Sequence, residues 1–242
     1  MCRHLAYLGQ PVSLQELALD PPYSLATQAY APRRQRFGMV NVDGFGTGWY
    51  VAGRPEPVRY RRAQPIWSDQ SFASLAPTIE STCVLAAVRS ATPGFPCEES
   101  GTAPFTHGRW LFSHNGVLHD LPLARKTLRD KVAWVPDALA PVDSAILFGL
   151  AVAQWEAGGE LGDGLAQTAR EIDAVGGGRL NLLATDGERL AATAYGDTLF
   201  VRQDDSFVVI ASEPYDDDAG WREVPPDSLV EADDGGLDIR PL

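Results

Sequence analysis

Cysteine is scarce in this chain: among 242 residues only Cys2, Cys83 and Cys97 occur. Cys2 stands directly behind Met1 in the opening run MCRHLAYLGQ. A small residue in second position is the usual circumstance for methionine removal, which would leave Cys2 with both a thiol and a free α-amine. An α-amine titrates at about 7.7–8.0. It can therefore act as a general base beside its own nucleophile, and a thiolate needs only modest activation. Position alone leaves an accidental cysteine equally open. Cys83, inside the apolar run TCVLAAV, reads as a small core thiol. Cys97 lies in a proline-bounded loop without diagnostic neighbours. An odd cysteine count with no C-x-x-C pair argues against a disulfide framework and against a structural zinc site. His4, His107, His114 and His119 show no metal-ligand spacing, so the expected chemistry uses neither metal nor cofactor.

A cysteine that attacks an amide carbonyl needs hydrogen-bond donors aimed at the developing oxyanion. The segment SHNGVL offers two, the Asn115 side-chain amide and the Gly116 backbone N–H. The same Asn-Gly pair is also a strong hairpin signal. Arg89, at the end of a buried run in VRSATPG, could grip a carboxylate as a bidentate fork. Asp143 in PVDSAILFGL could receive an ammonium group or simply cap a helix. Glycines alternate in GFGTGWY, but no helix pattern follows to supply phosphate-binding amides. GGGRL lacks the Lys-Ser/Thr pair of a phosphate loop. Nucleotide binding is not expected.

Several elements must position these groups. CRHLAYLG alternates like a half-buried strand. SLQELAL predicts a short helix with Ser13 as cap and Glu16 three residues on. FGMVNVDGFGTGWYVAG predicts two strands around a glycine turn, VRYRRAQ a strand, SFASLAPTI a helix and STCVLAAVR a buried strand. Apolar positions flank Asn115-Gly116 in RWLFSHNGVLHD, predicting a hairpin. LPLARKTLRDKV, DSAILFGLAVAQWEAGG and DGLAQTAREIDAVGGG have helical spacing. Strands return in RLNLLATDGERLAATAYGDTLFVRQ and SFVVIASEP, with a turn at Asp186-Gly187. Strands, helices and strands again predict an α+β fold with sheets packed on helices. The expected organisation is one domain over 2–215 and a loosely held acidic extension over 216–242. The net charge of −12 disfavours nucleic-acid binding, which needs a basic surface. No apolar run is long enough to span a membrane, and the first residues lack the pattern of a secretion signal. A cytoplasmic protein is expected, with its oligomeric state unspecified.

Taken together, Cys2, Arg89-Ser90-Ala91-Thr92-Pro93-Gly94, His114-Asn115-Gly116 and Val142-Asp143-Ser144-Ala145 resemble the class II glutamine amidotransferase family of N-terminal nucleophile hydrolases. Their order matches the family's N-terminal cysteine, R-x-A-T-x-G, H-N-G and T-D-T/S-E segments. The resemblance implies Cys2 as nucleophile, Asn115 and Gly116 as oxyanion hole, and Arg89 and Thr92 as carboxylate ligands. The Gly116 carbonyl and Asp143 would hold an α-ammonium group. It also implies a four-layer αββα sandwich. Departures occur at Pro93, where many members have histidine, and at Val142 and Ala145, which replace a threonine and an acidic residue. Within the family, MCRHLAYLG and AYAPRRQRFGMVNVDGFGTGW look most like the stand-alone members of ergothioneine biosynthesis. The implied activity is hydrolysis of the γ-glutamyl amide of a small molecule, γ-glutamyl-hercynylcysteine sulfoxide, through a Cys2 thioester. A glutaminase subunit feeding ammonia to a separate synthase, and a degenerate γ-glutamyl-binding protein, are the alternatives.

Overall fold

The opening alternation becomes β1, Cys2–Ser13, with Leu5 and Tyr7 on one face and Ala6 and Leu8 on the other. The computed structural model describes residues 2–242, so the expected removal of Met1 concerns a residue outside the described range. Helix α1, Leu14–Ala18, starts at a complete capping box in which Ser13 and Glu16 satisfy each other's backbone N–H groups. The further strands of the first half are β2 (Gly44–Trp49), β3 (Val58–Arg62), β4 (Glu80–Arg89), β5 (Phe105–His107) and β6 (Trp110–Leu118). Helices α2 (Leu25–Gln28) and α3 (Gln70–Leu75) lie among them. After β6 come α4 (Leu121–Val132), α5 (Asp143–Glu156) and α6 (Leu161–Asp173). The chain ends with β7 (Gly178–Thr185), β8 (Leu190–Ala194), β9 (Phe200–Gln203), β10 (Phe207–Ala211), β11 (Arg222–Glu223), β12 (Ser228–Asp233) and β13 (Gly236–Pro241).

These strands make two antiparallel sheets, ordered β11-β9-β10-β1-β4-β2-β3 and β13-β12-β8-β7-β6-β5. Three apolar cores show how they stack. Ala6, Cys83, Leu85, Leu111, Leu183 and Ile210 pack between the two sheets. Leu5, Val84, Val88, Leu14, Leu25 and Phe72 seat α1–α3 on the outer face of the first sheet. Phe112, Leu182, Leu128, Phe148 and Leu165 seat α4–α6 on the outer face of the second. The result is a four-layer αββα sandwich. Among the described residues no helix is long and apolar enough to cross a membrane.

Three local expectations are corrected. Asn115-Gly116 is not a hairpin turn: β6 runs straight through it, paired with β7 from Leu111–Thr185 to Leu118–Gly178. Gly116 serves a close approach instead, because a Cβ there would collide with the Arg179 carbonyl and lie 2.5 Å from His114 Nε2. Only one strand, β2, forms in FGMVNVDGFGTGWYVAG. The segment before it is held as a loop by Asn41, whose Nδ2 donates to the Gln28 carbonyl and Gln35 Oε1. Residues 216–242 are not loosely held, since β11 pairs with β9 and β12 joins β8 in the second sheet. Leu229 and Val230 are fully buried there; these apolar side chains outweigh the acidic composition that suggested a free tail.

The glycines of GFGTGW also find their reason. A Cβ on Gly44 or Gly48 would press on Thr102 or Leu111, and one on Gly46 would meet the Ala103 carbonyl. The alternation lets one segment lie flat on β2; it does not cradle a phosphate.

Candidate active site

The site lies at the end of the space between the sheets. Cys2 and Arg89 are register partners in the β1–β4 ladder, and Gly44 of β2 opposes Arg89 on its other side. Asp43 secures this end. Its backbone N–H donates to the Arg89 carbonyl at 2.9 Å, and its Oδ2 accepts the Ala91 N–H at 2.8 Å. The chain then turns away through Ser90–Phe95, with the Phe95 N–H on the Thr92 carbonyl.

Cys2, Arg89, Thr92, Phe95, His114, Gly116, Asp143 and Ser144 line one pocket. Five of the six residues singled out in the sequence therefore meet. The sixth, Asn115, is fully buried behind Cys2, its Oδ1 accepting from the Cys2 nitrogen at 3.1 Å. The space open to water in the pocket is about 30 Å³, roughly one molecule's share. A much larger hollow, about 670 Å³, lies far along β1 around Gly9 and Phe207, with no thiol or histidine in its wall.

Arg89 is 5% exposed. Its Nη2 donates to the Pro96 carbonyl at 3.0 Å, and its Nη1 is buried without a hydrogen-bond partner. Gly101 lets it lie flat, since a Cβ there would stand 3.1 Å from Nη2. A buried guanidinium N–H left unmade is costly, so an anionic oxygen is the group this corner lacks.

Asp143 is the first residue of α5 rather than its cap, which is Val142. Its two carboxylate oxygens accept from the Ser144 and Leu118 backbone N–H groups at 2.9 and 3.1 Å. This pins the helix start to the end of β6 and leaves the carboxylate on the pocket wall.

The sequence places His114 in the H-N-G segment but assigns its ring no role. Its Nε2 must donate to the Arg179 carbonyl at 2.9 Å, so Nδ1 accepts from the Ser144 hydroxyl at 3.0 Å. Burial lowers its pKa and keeps it neutral. His4, on the same face of β1 as Cys2, is likewise held neutral: burial first, then the Arg3 charge, brings its pKa to about 3. Among the described residues no group of three or more His, Cys, Asp or Glu side chains is placed to hold a metal ion.

Sequence reasoning missed Arg3, Asp43, Ser144 and Asp197. Arg3 and Asp197 form a fully buried ion pair at 2.7 Å. Asn181 secures the Asp197 loop through bonds from its Nδ2 to the carbonyls of residues 197 and 198. The one available signal was a polar Asn181 inside the apolar strand run LNLLAT, where a buried amide demands partners.

Known proteins resemble the chain in sequence and in fold. Residues 15–204 match the family described as class II glutamine amidotransferases. The chain is 46% identical, over the full length of both proteins, to a γ-glutamyl-hercynylcysteine sulfoxide hydrolase of Mycolicibacterium smegmatis. The solved structure of a glutamine aminotransferase class-II domain protein from Silicibacter pomeroyi is 25% identical, with a TM-score of 0.69 and 99% of each chain covered. The glutamine phosphoribosylpyrophosphate amidotransferase of B. subtilis shares the fold at 14% identity and a TM-score of 0.70. That match covers 99% of this chain and 49% of the other.

Proposed function

Because the chain belongs to the class II glutamine amidotransferase family, we propose that it hydrolyses the γ-glutamyl amide of γ-glutamyl-hercynylcysteine sulfoxide and releases glutamate. The observation that carries this reading is the meeting of the Cys2 thiol, the half-satisfied Arg89 guanidinium and the Asp143 carboxylate in one pocket. These are the groups an amino-acid amide needs: a nucleophile, a cation for its α-carboxylate and an anion for its α-ammonium. The leaving group comes from the relative's name.

In this reading Met1 is removed and the Cys2 thiol gives its proton to the freed α-amine. The sulfur then attacks the γ-carbonyl, and Asn115 and Gly116 carry the negative charge on the oxygen. The amine returns the proton to the leaving nitrogen, the C–N bond breaks and a γ-glutamyl thioester remains. Water attacks the thioester, the sulfur leaves and glutamate departs. Arg89, Thr92 and Asp143 orient the glutamyl end. A glutamyl group is larger than the present space of about 30 Å³, so the pocket widens as substrate enters.

The test offers the purified chain the hercynyl sulfoxide conjugate, glutamine and γ-glutamylcysteine. Cys2-dependent glutamate release with preference for the conjugate is expected, together with a mass lacking Met1. Equal turnover by Cys2→Ala overturns the mechanism. Preference for glutamine overturns the substrate.

A further inference from the structure

A closed ring of hydrogen bonds surrounds the backbone of Cys2. Arg3 Nε donates to the Cys2 carbonyl oxygen at 2.8 Å, and Arg3 Nη2 meets Asp197 Oδ2 at 2.7 Å. The same carboxylate oxygen accepts from Asn115 Nδ2 at 3.3 Å. Asn115 Oδ1 then accepts from the Cys2 nitrogen, closing the ring on the residue where it began. Asp197 is itself held, its Oδ1 by the Thr198 N–H at 2.8 Å and its backbone N–H by Asn181 Oδ1 at 3.0 Å.

Both ion-pair side chains are completely buried. Such a pair is poor evidence of stability, because apolar residues of similar volume often serve as well or better. Its geometry has a different consequence. A carboxylate can only accept hydrogen bonds, so it must face the NH₂ end of the Asn115 amide. The opposite flip would set two acceptor oxygens against each other. Asp197 thus dictates that the amide oxygen, not its nitrogen, meets the Cys2 nitrogen. A freed amine there spends one N–H on Asn115 and keeps its lone pair for the thiol proton.

The surrounding charges matter to the same nitrogen. His4 on β1 and His114 on β6 are neutral. Arg89 on β4 and Asp143 on α5 both line the pocket, while Asp43 caps the Ala91 N–H and the Arg179 backbone joins His114. Glu213, beyond β10, lies 3.8 Å from Arg3 Nη1 and accepts the Arg33 and Arg34 N–H groups. The charge held nearest the Cys2 backbone is that of Arg3, and Asp197 answers it directly.

We infer that Arg3 and Asp197 are positioning residues for the nucleophile: Asp197 orients the Asn115 amide toward the Cys2 nitrogen, and the paired charges cancel there. The inference rests on the proposed Cys2 chemistry. The acid limb of kcat/KM against pH reports the freed amine. Loss of the Asp197 charge leaves Arg3 with only the more distant Glu213 carboxylate, 3.8 Å from Nη1, and disfavours the ammonium form; loss of Arg3 does the reverse.

The experiment compares pH profiles of wild type, Asp197→Asn, Arg3→Gln and the double variant on the γ-glutamyl hercynyl sulfoxide. The expected acid limb moves down by about one pH unit in Asp197→Asn and up by about as much in Arg3→Gln. It returns to the wild-type position in the double variant. The plateau falls wherever Asp197 is replaced. Coincident limbs, or single variants moving the same way, overturn the inference. Should Asp197→Asn not fold, Asp197→Glu keeps the charge and shifts the oxygens. A lowered plateau on an unmoved limb then supports the inference, and an unchanged plateau overturns it. Wild-type turnover that does not depend on Cys2 overturns the parent reading instead.

Discussion

Cys2 and Arg89 face each other at the end of the β1–β4 ladder, as partners in its final register position. Register partners project their side chains to the same side of a sheet. The thiol and the guanidinium therefore share one pocket wall without any loop having to bring them together. A thiol and a guanidinium placed on adjacent central strands are held by the whole sheet.

Arg89→Met should act through substrate binding. Loss of one partner of a buried charge pair costs about 2–5 kcal/mol, at least about 30-fold in kcat/KM. Steady-state kinetics should show the greater part of it in KM. An unchanged KM would remove Arg89 from the carboxylate site.

Asn115→Ala should act on the chemical step. Removing one oxyanion donor lowers kcat by about 10²–10³-fold. Retention of kcat within a factor of about ten would show that the amide only braces Cys2.

Gly116→Ala should fail structurally before it fails chemically. Its methyl would strike the Arg179 carbonyl and crowd His114, prising β6 from β7. Overpacking of this kind costs about 1–3 kcal/mol, more where backbone must shift. Denaturant midpoints should fall by a corresponding amount, and a wild-type midpoint would refute the close approach.

Stability should fall as pH drops. His4 is neutral in the fold down to about pH 3 but takes a proton in the unfolded chain near 6.5. Its contribution is complete above pH 6.5 and is lost as pH falls toward 3, reaching about 2 kcal/mol by pH 5. The lowered pKa of buried His114 acts in the same direction. Unfolding free energies at pH 7 and 5 measure the slope; His4→Gln should flatten it by one proton. An equal slope in both chains would place the charge elsewhere.

Truncation after Asp227 should destabilise the fold. It removes β12 and β13, uncovers the edge of β8, strips Val230 and Ala232 from the inter-sheet core and removes the buried Leu229. A lowered thermal midpoint and aggregation are expected; a truncated chain with the wild-type midpoint would show that residues 216–242 are the separate extension their composition suggests.

Much of the frame was legible because it is local. α4 spans the whole of LPLARKTLRDKV, and the Ser13–Glu16 capping box formed where its spacing pointed. Apolar period and cap chemistry act within a few residues, so they can be read in place. Asn115-Gly116 misled for the same reason. A turn signal is local, whereas this glycine answers to the Arg179 carbonyl on another strand.

By itself the sequence determined which groups were available and in what order: a second-position thiol, Arg89, an Asn-Gly pair and Asp143. The tertiary structure alone decided what touches them. Asn115 lies 113 residues from Cys2 and 82 from Asp197 in the chain, yet its one amide bonds to both. Such contacts depend on strand register and on how two sheets are stacked. A buried carboxylate takes whatever donor the packing brings, and no periodicity records that choice.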